Sequence, residues 1–170
     1  VLQFIKDRHS VRRFKSQDIP DEKLTAILDA ARWAPSAGNI QPWFFYVVKG
    51  REERETLASF ALNQIFIARA PVSIVVCAET GRSAGVYGSR GSSLYCIQDT
   101  AAATQNILLA ANALGLGSCW VGAFDEERVH NFLKMPDQRR PVAIIPLGYP
   151  EKTTGRQAVR REIEEITQFT

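Results

Sequence analysis

An α+β fold is what this chain predicts, on three observations. Two apolar runs, Val72–Ala78 and Val142–Leu147, have the length of buried strands and fall short of helices. The Ala- and Leu-rich stretch from Leu94 to Leu114 reads as a central core helix. Strand and helix patterns then follow one another without the regular βαβ rhythm of a doubly wound sheet. The 170 residues, 45% of them hydrophobic, contain no internal repeat and no dividing linker, so residues 1–170 are expected to form a single domain with a sizeable core.

The elements follow in chain order. Leu24, Ile27, Leu28 and Ala31 recur at helical spacing in residues 20–34, with Pro20 and Asp21-Glu22 suited to the first turn and Pro35 to the end. Trp43–Val48 is aromatic and β-branched, hence a strand closed by Gly50, and a charged helix is expected over residues 51–60. Thr80–Ser93 holds four glycines and four serines without periodicity and reads as a mobile loop. Gly115 suits the C-cap of the long helix, Ser118–Gly122 a short strand, and Asp125 the cap of a helix ending near Lys134. In the charged tail, Ile163 and Ile166 fall on one helical face.

Composition excludes several classes. A net charge of +3 is too small for a dedicated nucleic-acid binder. The long helix is interrupted by Gln98, Asp99, Thr100, Gln105, Asn106 and Asn112, so no membrane span is expected. Arg8 breaks the N-terminal apolar stretch too early for a signal peptide. Cys77, Cys96 and Cys119 show no metal-ligand spacing and are read as buried free thiols of a reducing, cytoplasmic compartment. No metal is expected. Gly115-Leu116-Gly117 follows a helix and precedes a strand, the reverse of a dinucleotide-binding turn. Neither His9 nor His130 has a nucleophile partner, so hydrolase chemistry is unsupported and no side chain is assigned a catalytic role.

Two segments carry the chemistry. In Arg8-His9-Ser10-Val11-Arg12-Arg13-Phe14, alternation places Arg8, Ser10 and Arg12 on one side of an extended segment, with Val11 and Arg13 on the other. Two guanidinium forks and a hydroxyl suit a phosphate or another polyanion. In Pro35-Ser36-Ala37-Gly38-Asn39-Ile40-Gln41-Pro42-Trp43, small polar residues let a flat ligand approach the backbone and meet amide donors and acceptors.

In this order and spacing the two segments resemble the nitroreductase family of FMN-dependent oxidoreductases. The resemblance continues through Asn63-Gln64, Ala70-Pro71, Gly115-Leu116-Gly117, Trp120-Val121-Gly122-Ala123-Phe124, Leu147-Gly148-Tyr149-Pro150 and Arg160-Arg161. It implies a mixed, mainly antiparallel sheet flanked by helices, in a homodimer with exchanged C-terminal tails and an FMN in each of two interface clefts. Arg8, His9, Ser10 and Arg12 would hold phosphate, ribityl and pyrimidine groups, with Arg8 on the phosphate and Arg12 at the edge that becomes anionic on reduction. Pro35, Ser36, Ala37, Asn39 and Gln41 would close on the ring from the partner. Asn63 would lie near the pyrimidine edge, Gly122 and Ala123 on the N5 side, and Arg160 or Arg161 would complete the phosphate site.

The implied activity is two-electron transfer from NADH or NADPH to a nitroaromatic, quinone or similar small acceptor, with ping-pong kinetics. Two departures leave the substrate open: Thr80–Ser93 stands where some members carry a longer helical insertion, and Gln64 follows Asn63 where some have lysine. A specialised branch, such as a reductive dehalogenase or flavin-modifying enzyme, and a non-catalytic flavin-binding module are the alternatives.

Overall fold

The computed structural model describes residues 2–152 and 159–170. In chain order these form α1 (Leu2–Asp7), α2 (Asp21–Arg32), β1 (Trp43–Val48), α3 (Arg51–Phe60), α4 (Phe66–Arg69), β2 (Val72–Glu79) and α5 (Thr80–Arg90). A π-helical turn at Gly91–Tyr95 leads into α6 (Cys96–Ala113), followed by β3 (Gly117–Ser118), α7 (Glu126–Phe132) and β4 (Arg139–Gly148). The sheet order is β1-β2-β4-β3, and every pair of these strands is antiparallel. The sheet is mixed only through a parallel bridge between Ser10 and Ser118.

Both faces of the sheet are covered, which is why β2 is buried from Val72 to Ala78 and apolar there except for Ser73. Val72, Ile74 and Val76 pack with Leu24, Ile27 and Ala31 of α2 and Ile107, Leu108 and Ala111 of α6. The alternate residues Val75 and Cys77 face Leu57 of α3, Ile67 of α4 and Val129 of α7. A period of two along one strand thus feeds two cores. Asp125 caps α7 as its sequence suggests, accepting from the Arg128 amide at 3.0 Å.

Four expectations need correction. Thr80–Ser93 is not a mobile loop: it is α5 and the π-helical turn. Its glycines serve packing as well as punctuation. Gly88 breaks the helix at φ 57°, ψ −143°, and a Cβ on Gly91 would sit 2.3 Å from the Ser83 carbonyl oxygen. Tertiary contact therefore overrides a composition that reads locally as coil. The strand expected at Ser118–Gly122 is the two-residue β3 plus an isolated bridge from Val121 to Ile144, while β4 extends beyond Val142–Leu147 at both ends. The helical face drawn through Ile163 and Ile166 shortens to one 3₁₀ turn, Ile163–Glu165, with both side chains exposed. Two short helices, α1 and α4, carry too few turns to show a period and have no counterpart in the sequence reading. Among the described residues no helix is long and apolar enough to cross a membrane.

Candidate cofactor site

The arginine segment is an added edge of the sheet. Val11 donates its amide to the Ser118 carbonyl at 2.9 Å, Lys15 to Tyr149 at 2.8 Å, and Glu151 to Arg13 at 3.1 Å. Val11 and Phe14 are buried, and Gly117 admits Val11 because a Cβ there would lie 2.7 Å from three of its atoms. Anchoring by backbone and apolar groups leaves the polar tips free. Arg8 is half-buried, and Ser10, Arg12 and Arg13 are exposed.

Burial pushes the Cys119 thiol up, and the Arg12 guanidinium, the Ser10 hydroxyl and Arg8 pull it back. Ser10 and Arg12 are exposed as the alternation expects, but Arg13, expected beside Val11, is exposed as well, and Phe14 is buried with Val11. Arg12 also lies over the Phe66 ring, 5.7 Å from its centroid. A cavity of about 200 Å³ opens along this edge, lined by His9, Ser10, Val11, Arg12 and Arg13 with Glu151 and Lys152. His9 Nδ1 stands 3.0 Å from the Asp7 carbonyl.

Nearby, Gln64 donates to the Ala123 carbonyl at 3.4 Å, tying the Asn63 turn to Gly122 and Ala123. Leu62 and Asn63 both adopt φ of 55°. Asn63 itself lines a larger groove of about 720 Å³ with Phe14, Lys15, Arg54 and Arg69. Gly122 and Ala123 are exposed, and the indole nitrogen of Trp120 lies 4.0 Å from where a Gly122 Cβ would be. Arg160 and Arg161 are not brought to Arg8 by any contact among the described residues. Their hydrogen bonds stay in the tail, to Val159 and Glu165.

The loop from Pro35 to Pro42 is built differently. Gly38, Asn39 and Gln41 have φ of 56°, 55° and 54°. The left-handed region costs roughly 1–2 kcal/mol per non-glycine residue, so something must hold it there. Local bonds do part of this: Ser36 Oγ accepts from the Gln41 amide at 3.0 Å, and Gln41 Nε2 donates to Asn39 Oδ1 at 3.1 Å. Distant groups do the rest. Asp99 Oδ1 accepts from the Ala37 amide at 3.1 Å, and Arg82 Nε donates to the Ile40 carbonyl at 2.7 Å. Neither Asp99 nor Arg82 was distinguished by the motif, because each lies more than 40 residues away.

These two segments stand at opposite ends of the sheet. Ser10 bridges Ser118, which pairs Leu147 and through it Val72, whereas Trp43, just after the loop, pairs Ala78. Six residues of β2 separate the two rungs, about 20 Å at 3.3 Å per residue. The arginine edge with its 200 Å³ cavity is smaller than the roughly 300–1,000 Å³ typical of a small-molecule site. The donor set nevertheless fits an anionic, planar ligand: guanidinium and hydroxyl groups at one end, exposed backbone and amide side chains at the other. Among the described residues no cluster of His, Cys, Asp and Glu could hold a metal ion.

The sequence profile described as the Nitroreductase family matches residues 5–69 and 60–149. A Methanothermobacter thermautotrophicus protein with the provisional name NADH dehydrogenase/NAD(P)H nitroreductase is 38% identical over 159 residues, covering 91% of this chain and 80% of its own. The FMN reductase (NADPH) of Bacillus subtilis is 24% identical, covering 92% and 68% respectively. In structure, an FMN-dependent nitroreductase from Clostridium difficile superimposes with a TM-score of 0.84 at 28% identity, covering 99% of this chain and 98% of its own. A profile match across most of the chain, the close archaeal relative and the shared fold lead to one conclusion: this chain belongs to the nitroreductase family.

Proposed function

We propose that the protein is an NAD(P)H-dependent FMN oxidoreductase that passes two electrons to nitroaromatic, quinone or similar acceptors with ping-pong kinetics, as a homodimer. The observation that carries the arrangement is the separation of the arginine edge from the left-handed loop. Two copies related by a two-fold axis bring the arginine edge of one to the loop of the other, completing both sites at once. The exposed Val159, Ile163, Ile166 and Phe169 of the tail are apolar groups suited to burial on the second copy, where the groove of about 720 Å³ offers Phe14, Ile65 and Pro71 beside Lys15 and Arg69. An obligate interface of this kind exceeds about 2,000 Å².

FMN supplies the two-electron chemistry when bound, and the chain supplies position and electrostatics. Arg8 and Ser10 hold the phosphate, joined by Arg160 or Arg161 of the tail. Arg12 stabilises negative charge on the ring, His9 contacts the cofactor beside it, and Asn63 serves the pyrimidine edge. Pro35, Ser36, Ala37, Asn39 and Gln41 cover the ring from the other copy, while Gly122 and Ala123 present backbone to its reacting side. The three buried free thiols accord with a reducing, cytoplasmic setting. A panel of quinones, nitroaromatics and halogenated phenols decides the substrate class.

The purified protein should be yellow, dimeric by light scattering, and bleached by NADH or NADPH under anaerobic conditions. Colour should return on addition of a quinone or nitroaromatic. A stable monomer that binds flavin, or a flavoprotein that neither nicotinamide bleaches, overturns this reading. Arg8→Ala, which loses a charge-assisted phosphate contact of roughly 1.5–3 kcal/mol, should shed most of its flavin on dilution. Unchanged flavin affinity would remove Arg8 from the site.

A further inference from the structure

The left-handed loop has supports that the cofactor reading does not use. Ala37, Asn39, Ile40 and Gln41 all donate their amides: to Asp99 Oδ1, the Ser36 carbonyl, the Ala37 carbonyl and Ser36 Oγ. Of these bonds only the one to Asp99 leaves the loop. Arg82 reaches the loop from the other direction, through the Ile40 carbonyl. Between the two, Tyr87 of α5 packs its hydroxyl on Gly38, 2.5 Å from where a Cβ would be. Asp99 stands in the first turn of α6 and is 7% exposed, with Oδ2 buried and without a hydrogen-bond partner among the described residues. Arg82 is exposed.

We propose that Arg82 and Asp99 are positioning residues, a two-point clamp that holds residues 36–41, with Gly38, Asn39 and Gln41 at positive φ, in one conformation and so sets how the loop meets the flavin. The flavin part rests on the function proposed above; the clamp itself concerns this chain alone. Asp99 works as an acceptor from α6, a long helix packed in the core. Arg82 works as a donor from α5, the segment whose composition reads as coil. The ordering of α5 thereby acquires a purpose: its Arg82 and Tyr87 close one side of the loop, while Asp99 closes the other. Without the clamp, the Ala37 amide and the Ile40 carbonyl lose their partners, and Asn39 and Gln41 can relax toward the ordinary backbone regions.

Hydrogen exchange of the peptide spanning residues 36–42 tests this, in apoprotein and holoprotein, with a peptide from residues 100–111 of α6 as the internal reference. Arg82→Ala and Asp99→Ala should each speed exchange of the loop by about tenfold, the scale of losing one hydrogen bond to a charged group, and leave the reference peptide unchanged. Asp99→Asn, which keeps an acceptor oxygen, should restore slow exchange. In the holoprotein, Arg82→Ala should also change the visible circular dichroism and the reduction potential of the flavin. Loop exchange equal to wild type in both alanine variants overturns the clamp. So does a rise shared equally by the reference peptide, or an Asn variant as fast as the Ala variant. Fast loop exchange with an unaltered flavin spectrum and potential overturns the positioning role. Should Asp99→Ala fail to fold, the exposed Arg82 carries the test alone. If wild-type protein takes up no FMN, the function proposed above fails, and the apoprotein exchange still decides the clamp.

Discussion

The arginine edge and the left-handed loop, about 20 Å apart on one sheet by the strand rise, solve opposite problems. At the edge, backbone bonds to Ser118 and Tyr149 and the burial of Val11 and Phe14 fix the chain, and the charged side chains are left to the ligand. In the loop the amides of Ala37, Asn39, Ile40 and Gln41 are already paired, and its unusual backbone is held by Ser36 from within and by Asp99 and Arg82 from elsewhere. An extended segment added to a sheet is held by its own backbone, whereas a turn with three residues at positive φ needs supports from elsewhere in the fold.

The largest effect should come from disturbing the edge. Gly117→Ala places a Cβ 2.7 Å from the branched side chain of Val11, on a strand with no room to retreat. Overpacking of this kind costs about 1–3 kcal/mol, and it pushes Ser10 and Arg12 out of line as well. Urea unfolding should show that loss, and flavin titration a parallel drop in affinity. A variant with wild-type stability and affinity would mean that the edge is not fixed by this contact.

Gly38→Ala probes the loop with a smaller expected loss, about 1–2 kcal/mol for an alanine at positive φ. Its Cβ also meets the Tyr87 hydroxyl. Adding Tyr87→Phe removes that second contribution and leaves the first, so the double variant should recover part of the stability, never all. Full recovery would place the whole cost in the tyrosine contact and none in the backbone.

This contrast also explains what was legible in the sequence. Arg8, Ser10 and Arg12 announce themselves because their spacing is local, and so do β1, β2, the middle of β4, α2, α6 and the Asp125 cap. The loop's composition is visible as Pro35–Pro42, but its conformation is not, since Asp99 and Arg82 are remote in sequence. The same limit hid α5. Gly81, Gly85, Gly88 and Gly91 read as breakers, and only the approach of Gly91 to Ser83 shows why glycine is needed in a folded segment. Cys119 was visible as a core thiol, yet its place beside the Ser10–Ser118 bridge rests on a contact across more than 100 residues. Among the described residues Arg160 and Arg161 bond only within the tail, and the dimer proposed above is what would bring them to the arginine edge.

The smallest effect is a pair of opposite pH slopes. Asp99, which anchors the loop, is buried, and burial raises its pKa above the ordinary 3.8 although the Ala37 amide pulls it back. The native state therefore binds this proton more tightly than the unfolded chain. Its contribution is complete below 3.8 and is lost as pH rises through the native value. Glu126 is the reverse case. Arg140 grips it with two bonds, at 2.8 and 2.9 Å, and holds its pKa below the ordinary 4.5. That stabilisation is present above 4.5 and is lost as pH falls through the native value. Because the pair is about half exposed (51% and 48%), its full worth stays below about 1 kcal/mol. Stability of Asp99→Asn and Glu126→Gln, each measured against wild type from pH 3 to pH 7, should separate them. The wild-type advantage should shrink with rising pH at position 99 and grow at position 126. Slopes of the same sign would show that Asp99 is ionised in the folded loop, with its anchor to Ala37 outweighing the cost of burial.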